Sequence, residues 1–324
     1  MTDKFNRKIE YARISVTDRC NLRCQYCMPE NGVEKISHAD ILTYEEIIHV
    51  AKIFARLGIK KIRLTGGEPL LRKNICKLIA ALKNISGIEI VTLTTNGVLL
   101  KSFAQDLISA GIDGINLSLD TLDEKIFENL TRRNFFLKVI EGLQTLLDLN
   151  FPNLKINCVP LRGVNESQIL KIIALAKNYP VKVRFIELMP IGCAENFCGV
   201  PTSEIFNLIE KNFGSLAQVE KNPLCGPAKY FKPKNFIGQI GFIDALEHKF
   251  CGDCNRIRLT AEGFLKPCLN FGTGLDVKNL LRSNCNDEEI FSAIEQTIYN
   301  KPREHLFNKK NNLRDGRKMY QVGG

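Results

Sequence analysis

The chain has 324 residues, of which 44% are hydrophobic and 25% charged, as in an ordinary globular protein. The net charge of +10 suits either plain solubility or an anionic ligand such as a nucleotide triphosphate, and the lack of tryptophan and of long basic runs argues against nucleic acid. No apolar run reaches the roughly 18 residues of a membrane span, and the polar residues 1–10 do not form a signal peptide. We therefore expect a cytoplasmic protein without a membrane partner, whose twelve cysteines serve metal or redox chemistry rather than disulfides.

Six strand-like segments alternate with helical patterns before residue 190. Thr43 and Glu46 form a capping-box pattern that begins the first helix, and Gly58 ends it. Further helical patterns occupy residues 73–84, 99–110, 134–149 and 166–178. The strands are predicted at residues 11–16, 59–65, 88–95, 114–119, 154–160 and 181–189.

This alternation predicts an α/β fold of parallel βαβ units with right-handed crossovers. Six units are too few for a closed eight-stranded barrel, so we expect a partial, open (βα)6 TIM-like barrel in residues 1–190. Residues 191–324 are richer in Pro, Gly and Cys, and we expect a C-terminal extension that caps the barrel. That region includes one helix at residues 203–213, with Thr202 or Ser203 as its cap, and another at about 287–300.

A C-x3-C-x2-C run, formed by Cys20, Cys24 and Cys27, follows the first strand. A disulfide would leave one of the three cysteines unpaired. A structural zinc ion needs a fourth ligand, and the nearest histidine, His38, lies eleven residues further on. A [4Fe–4S] cluster held by three thiolates keeps one iron free to bind another molecule. The run therefore favours a cluster with one open iron.

A second triad with C-x2-C-x13-C spacing is formed by Cys251, Cys254 and Cys268. No fourth cysteine follows at a similar spacing. The favoured interpretation is a second [4Fe–4S] cluster with an open iron. Zinc completed by Cys285 or His248 remains the alternative. Between these cysteines, strand alternation places Arg256 and Arg258 on one side, where guanidinium groups suit an anionic or heterocyclic substrate.

Basic residues with a shared parity occur on four of the predicted strands, where they face the barrel interior if the register is regular. Buried cations need an anionic partner, and arginine grips phosphate oxygens bidentately. Each residue alone is equally compatible with a surface position. The five residues are Arg13, Lys61, Arg63, Lys155 and Arg184.

The first cysteine run, together with the Gly-Gly-Glu-Pro sequence at residues 66–69, resembles the radical S-adenosylmethionine superfamily. The second triad, the Asn-Arg-Ile-Arg at residues 255–258 and the terminal Gly-Gly resemble, within it, the MoaA family of GTP 3′,8-cyclases of molybdenum cofactor biosynthesis. The resemblance extends from about residue 13 to residue 324.

This resemblance implies specific roles for residues that match the family's motifs. The metal ligands would be Cys20, Cys24, Cys27, Cys251, Cys254 and Cys268. S-adenosylmethionine would meet Tyr26, Gly66, Gly67, Glu68, Ser118 and Met189. GTP would meet Arg13, Lys61, Arg63, Thr94, Lys155, Arg184, Arg256, Ile257 and Arg258. A tail ending in Gly323 and Gly324 would enter the site and take part in catalysis.

The implied enzyme is a lyase with two [4Fe–4S] clusters that uses S-adenosylmethionine to convert GTP to (8S)-3′,8-cyclo-7,8-dihydroguanosine 5′-triphosphate. The 5′-deoxyadenosyl radical would abstract the 3′ hydrogen of GTP, and the resulting C3′ radical would attack C8 of guanine. Reduction of the cyclised radical, with uptake of a proton, would then yield the product. The family also implies a homodimer, an external electron donor and a downstream cyclic pyranopterin monophosphate synthase.

Two other functions remain open from the sequence. The first is another radical S-adenosylmethionine enzyme with an auxiliary cluster, such as a peptide-modifying or sulfatase-maturing enzyme, although these carry more auxiliary cysteines. The second is a zinc or iron–sulfur binding module without catalytic activity. The roles of Cys193, Cys198, Cys225 and Cys285 are not assigned, and a metal site at the C-x4-C of Cys193 and Cys198 is a minor alternative.

Overall fold

The computed structural model describes residues 1–33, 36–220, 226–283, 285–307 and 316–323. Its strands are β1 (Tyr11–Ser15), β2 (Lys61–Thr65), β3 (Ile90–Thr95), β4 (Gly114–Ser118), β5 (Leu154–Cys158), β6 (Lys182–Ile186), β7 (Leu216–Val219), β8 (Lys229–Pro233), β9 (Gln239–Ile243), β10 (Arg256–Leu259), β11 (Phe264–Lys266) and β12 (Leu275–Asp276). Its α-helices are α1 (Tyr44–Arg56), α2 (Ile75–Lys83), α3 (Leu100–Ser109), α4 (Glu124–Thr131), α5 (Phe136–Asp148), α6 (Ile169–Asn178), α7 (Thr202–Phe213), α8 (Val277–Arg282) and α9 (Asp287–Tyr299). None of the helices in these ranges is both long and apolar enough to cross a membrane.

The strands form one sheet in the order β12-β11-β10-β1-β2-β3-β4-β5-β6-β9-β8-β7. Strands β1 to β6 are consecutive neighbours and parallel, which confirms the predicted (βα)6 partial barrel. Parallel strands joined by helices place all their carboxyl ends at one rim, where sites form in such folds.

The C-terminal region extends this sheet at both edges as well as following the barrel in sequence. Strand β10 pairs in parallel with β1, and β9 pairs in parallel with β6. Antiparallel partners then flank each of them. The expectation of a cap alone is therefore incomplete, because two strands from the extension enlarge the parallel sheet from six strands to eight.

Alternate residues of the barrel strands separate an apolar face from a polar one. Ala12, Ile14, Ile62 and Leu64 are fully buried in the hydrophobic core. Helix α1 covers this face with its apolar stripe, which includes Phe54. The strand residues at the alternate positions, which include the basic residues, face the barrel interior.

Of the two side-chain caps predicted from the sequence, the one at α1 is formed and the one at α7 is not. At α1 the Thr43 hydroxyl accepts from the Glu46 amide at 3.2 Å, and the Glu46 carboxylate accepts from the Thr43 amide at 2.7 Å. The predicted cap of α7 is wrong, because that helix begins at Thr202 itself after Pro201, without a side-chain cap. The Thr202 hydroxyl instead donates to the buried Asp244 at 2.6 Å, which removes it from capping.

Candidate active site

One cavity of about 290 Å³ lies at the carboxyl rim of the barrel and contains both cysteine triads in its wall. The two triads are far apart in sequence, and the added strand β10 brings the second one beside β1. The sequence-predicted residues that line the cavity are Arg13, Cys20, Cys24, Tyr26, Cys27, Arg63, Gly66, Gly67, Thr94, Ser118, Arg184, Met189, Cys251, Cys254, Arg256, Arg258 and Cys268.

The first triad lies on a tight loop after β1. The amides of Cys27 and Met28 both donate to the Cys24 carbonyl at 2.9 Å, which turns the chain between the last two cysteines. The Cys20 sulfur accepts from the Leu22 amide at 3.4 Å and from the Asn96 side-chain amide at 3.6 Å. These N–H donors offset part of the effect of burial and Glu68, which raise the pKa of the Cys20 thiol to about 11, and such donors tune a bound cluster.

Gly66 and Gly67 hold this loop close to the end of β2. The Gly67 amide donates to the Thr17 carbonyl at 2.8 Å, and the Glu68 amide donates to the Arg19 carbonyl at 2.7 Å. A Cβ atom at Gly67 would clash with the Arg19 carbonyl oxygen. Glycine is therefore required here for the close approach of two backbones.

Glu68 is fully buried behind the cavity and is not among its lining residues. Its carboxylate accepts from the Leu70 amide, the Thr95 hydroxyl and the Asn96 amide at 2.7–3.0 Å. Burial raises the pKa of this carboxyl to about 7. The contacts place Glu68 behind Asn96, the residue that donates to the Cys20 sulfur.

Tyr26 is anchored by an acid that follows β4. The Tyr26 hydroxyl donates to Asp120 at 2.7 Å, and the other Asp120 oxygen accepts from the Val159 amide at 2.8 Å. Burial raises the pKa of Asp120 to about 6 and also raises the pKa of Tyr26. The phenol ring is thereby held between the cysteine loop and the end of β4.

Register aligns basic side chains in two rows across three neighbouring parallel strands. Residues at i and i+2 of each strand face the same side, so both rows face the barrel interior. Burial lowers the pKa of Arg63, and Arg184 and Arg256 lower it further. The rows are Arg256–Tyr11–Lys61 and, two residues nearer the rim, Arg258–Arg13–Arg63.

Lys155 on β5 faces the same concentration of positive charge. Burial lowers its pKa to about 6, and Arg184, Arg63, Lys61 and Lys182 lower it as well. These neighbours are all cations, and their mutual repulsion favours an anionic ligand among them. Lys61 and Lys155 are themselves buried and lie outside the cavity lining.

Arg184 is held by neutral acceptors. Its guanidinium donates to the Asn157 side-chain oxygen at 2.8 Å and to the Asn116 side-chain oxygen at 2.6 Å. Because both partners are uncharged amides, these bonds orient Arg184 and leave its charge available to an anion. The sequence contains no local signal for the two asparagines, which lie on different strands.

The second triad is braced by Lys301, which follows α9. The Lys301 ammonium donates to the carbonyls of Arg256, at 2.8 Å, and Pro267. Burial alone would raise the pKa of the Cys254 thiol, but Lys301 and Arg256 outweigh it and lower that pKa to about 6. The environment of Cys254 therefore favours a thiolate, the form that binds metal.

Ile257 is buried in the hydrophobic core, on the opposite face of β10 from its two arginine neighbours. The structure therefore does not bring its side chain into the cavity with the other predicted substrate residues. Gly323 lies close by, since its carbonyl accepts from Arg13 at 2.9 Å and from Arg258 at 3.1 Å. Gly324, the other predicted tail residue, lies outside the described residues.

The first cysteine triad has an arrangement that suits a cluster better than a single metal ion. Within the described ranges, no three His, Cys, Asp or Glu side chains converge on a point as ligands of one metal ion must. A [4Fe–4S] cluster binds each thiolate to a different iron, so its ligands need to surround a larger group. Three thiols on one cavity wall, with N–H donors at Cys20, fit that requirement.

Comparison with known proteins agrees with this arrangement. Residues 14–176 match the Radical SAM superfamily, and residues 181–307 match the family Molybdenum Cofactor Synthesis C. The GTP 3′,8-cyclase of Clostridium perfringens (strain SM101) is 45% identical over 324 residues, covering 100% of both chains. The chain belongs to the GTP 3′,8-cyclase family. A further GTP 3′,8-cyclase, from Pelotomaculum thermopropionicum, is 44% identical over 328 residues and also covers 100% of each chain.

Solved structures confirm the fold of this GTP 3′,8-cyclase family member. Streptococcus suis SuiB, bound to S-adenosylmethionine, has a TM-score of 0.63 and 16% identity, covering 88% of this chain and 68% of SuiB. HydG, a maturase of the [FeFe]-hydrogenase, has a TM-score of 0.50 and 16% identity, covering 63% of this chain and 49% of HydG. At such identities the likeness extends to the radical S-adenosylmethionine barrel and not to the substrate.

Proposed function

We propose that this chain is a GTP 3′,8-cyclase, which converts GTP and S-adenosylmethionine to (8S)-3′,8-cyclo-7,8-dihydroguanosine 5′-triphosphate, 5′-deoxyadenosine and methionine. The reaction belongs to molybdenum cofactor biosynthesis. The observation that carries the proposal is the identity of 45% over the full length of a curated GTP 3′,8-cyclase. The cavity, whose lining includes both cysteine triads and several arginines, supplies the matching chemistry.

A [4Fe–4S] cluster would be held by Cys20, Cys24 and Cys27. When bound, it would supply the electron for reductive cleavage of S-adenosylmethionine, the source of the radical that the proposed reaction directs at the 3′ hydrogen of GTP. The protein's part is to hold the loop, donate N–H groups to Cys20 and shield the site from water. The residues proposed to hold S-adenosylmethionine are Tyr26, Gly66, Gly67, Ser118 and Met189, with Glu68 supporting them from behind through Asn96.

A second [4Fe–4S] cluster is proposed at Cys251, Cys254 and Cys268, with guanine at its open iron. Three features support this assignment: the thiols share the cavity with the first triad, the Cys254 pKa is lowered, and Lys301 braces the two segments that carry them. Arg256 lines the cavity beside these thiols and is suited to the guanine or to a phosphate.

The two basic rows are proposed to bind the triphosphate of GTP. A triphosphate carries about four negative charges, and guanidinium groups bind phosphate oxygens bidentately. Burial lowers the pKa values of Arg63 and Lys155, neighbouring cations lower them further, and a bound triphosphate would offset the repulsion among these cations. The proposed contacts are made by Arg13, Arg63, Thr94, Arg184, Arg256 and Arg258, and the buried Lys61 and Lys155 behind the lining would add positive charge.

Several wider features remain part of the proposal. The chain would act as a homodimer, receive electrons from an external donor and pass its product to a cyclic pyranopterin monophosphate synthase. Two thiol-bound clusters need a reducing compartment, which supports the cytoplasm. A division near residue 190, into a barrel region and a C-terminal region, is supported by the adjoining family matches at 14–176 and 181–307.

An anaerobic assay tests the function directly. Reconstituted protein is incubated with dithionite, S-adenosylmethionine and GTP, and the nucleotide products are separated by liquid chromatography and mass spectrometry. Consumption of GTP with formation of the 3′,8-cyclised triphosphate is expected. Formation of 5′-deoxyadenosine without loss of GTP would favour a different radical S-adenosylmethionine enzyme, and zinc without sulfide in the reconstituted protein would favour a non-catalytic module.

A further inference from the structure

Tyr11 lies in the deeper of the two basic rows and has no role in the site as described so far. It is on β1, is 2% exposed and lines the cavity. Its hydroxyl has no hydrogen-bond partner among the described residues. A buried hydroxyl without a partner is unfavourable. Its presence on a cavity wall therefore indicates that a bound ligand supplies the missing hydrogen-bond partner.

The surroundings of Tyr11 specify the charge of that ligand. The Lys61 ammonium lies 5.2 Å and the Arg63 guanidinium 5.3 Å from the centre of the Tyr11 ring. Arg256 and Lys61 are its register neighbours on β10 and β2, and Arg13 follows two residues later on the same strand. A donor surrounded by four cations is suited to an anionic oxygen acceptor.

Position along the strand indicates which part of the substrate Tyr11 meets. Strand β1 runs towards the rim that carries the cysteine loop, and Arg13 is nearer that rim by two residues, or about 7 Å. Adenosyl and guanine chemistry must take place at the cysteine triads. A group deeper than Arg13 is therefore placed for the phosphate end of the nucleotide.

We propose that the Tyr11 hydroxyl donates a hydrogen bond to a phosphate oxygen of the substrate at the deep end of the cavity, which makes Tyr11 a further substrate-binding residue. This inference rests on the proposed function, since the ligand is taken to be a nucleoside triphosphate. The surrounding charge supports it. Burial alone would raise the pKa of the phenol, but Arg63, Arg13, Lys61 and Arg256 together lower it to about 8, which strengthens the hydroxyl as a donor.

Binding of GTP and of guanosine to the Tyr11→Phe variant tests this contact. Both ligands are titrated calorimetrically into anaerobically reconstituted protein without S-adenosylmethionine, so that no turnover occurs. We expect the variant to bind GTP about tenfold more weakly and guanosine unchanged, because only GTP carries the acceptor. Tyr44→Phe is the matched control, since its ring also contacts a guanidinium, that of Arg72, and its hydroxyl donates to the Lys73 carbonyl away from the cavity.

A pH series supplies a second, independent readout. The protonated phenol is the donor, so the affinity of the unmodified protein for GTP should fall as pH rises through about 8. Tyr11→Phe should lack this step. Lys155, whose pKa is lowered to about 6, and the surrounding Arg13, Lys61, Arg63 and Arg256 remain in both proteins, so the difference between the two pH curves reports Tyr11.

The outcomes separate this inference from the proposed function. Equal GTP affinity in the two proteins, or an equal loss for GTP and guanosine, would overturn the role of Tyr11 and leave the cyclase proposal standing. Failure of the unmodified protein to bind GTP at all would overturn the cyclase proposal and the Tyr11 contact with it.

Discussion

At the scale of single residues, the two cysteine triads share one cavity but are expected to serve different steps. Changing Cys24 to Ala should abolish cleavage of S-adenosylmethionine, because the cluster that binds it loses a ligand. Changing Cys268 to Ala should preserve that cleavage and mainly impair GTP binding and turnover. Both effects are measured by quantifying methionine, 5′-deoxyadenosine and residual GTP after anaerobic incubation.

Cys76→Ala is the control for these variants, because Cys76 lies on α2 and outside the cavity. It should retain both activities. Loss of S-adenosylmethionine cleavage in the Cys268 variant as severe as in the Cys24 variant would contradict the division of tasks between the two triads.

Lys155 provides a proton-linked prediction. Burial and neighbouring cations lower its pKa to about 6, so it is mainly neutral at pH 7.5, and a bound triphosphate should restore its positive charge. GTP binding is therefore expected to take up a proton at Lys155. Calorimetry in buffers of different ionisation enthalpy measures the uptake, and Lys155→Met should bind up to about one proton fewer. Identical proton uptake in the two proteins would exclude Lys155 as the group that titrates.

At the scale of elements, sequence patterns predicted the features that depend on residues close together in the sequence. The capping box of α1 was readable because Thr43 and Glu46 are three residues apart. Strand β9 was missed because it is short, contains Gly241 and is stabilised by pairing with β6, which is distant in sequence. The Thr202 cap failed for a related reason, since its hydroxyl is engaged by Asp244, forty-two residues away.

The same distinction explains how much of the site was predictable. Both triads were recognised from their own spacing. Asp120, Asn96 and Lys301 were not assigned roles, because each acquires its partner only when separate elements meet. Asn96 and Asp120 nonetheless follow β3 and β4, at the strand ends where site residues collect in this fold. Lys301 gave no such signal in the sequence.

The capping box yields a stability prediction that is independent of chemistry. Thr43→Ala removes the acceptor for the Glu46 amide and should lower the free energy of unfolding by about 1 kcal/mol. Denaturant titration measures the change, and Thr145→Ala on α5, whose hydroxyl only bonds the Glu141 carbonyl of its own helix, is the control. A larger loss in the control than at Thr43 would contradict the capping role.

At the scale of the whole molecule, the chain is arranged so that its two ends in sequence meet at one cavity. Strand β10 pairs with β1, and the Gly323 carbonyl accepts hydrogen bonds from Arg13 and Arg258. Its φ of +76° favours glycine, and a Cβ atom there would clash with the Thr65 methyl group. Glycine at position 323 therefore suits the close contact between the tail and the two arginines, Arg13 and Arg258.

Deleting Gly323 and Gly324 tests the proposed catalytic role of the tail. Both clusters and GTP binding should remain largely intact, while cyclisation should be lost. Iron and sulfide analysis, GTP titration and product assay measure the three properties on the same preparation. Full cyclisation by the truncated protein would show that the terminal glycines are dispensable.

The central claim is that this cavity brings S-adenosylmethionine and the ribose of GTP together. The most direct measurement supplies GTP carrying deuterium at C3′ and examines the 5′-deoxyadenosine formed under anaerobic conditions by mass spectrometry. The account predicts one deuterium in 5′-deoxyadenosine, together with a cyclised triphosphate that has lost it. Unlabelled 5′-deoxyadenosine, with GTP recovered unchanged, would contradict it.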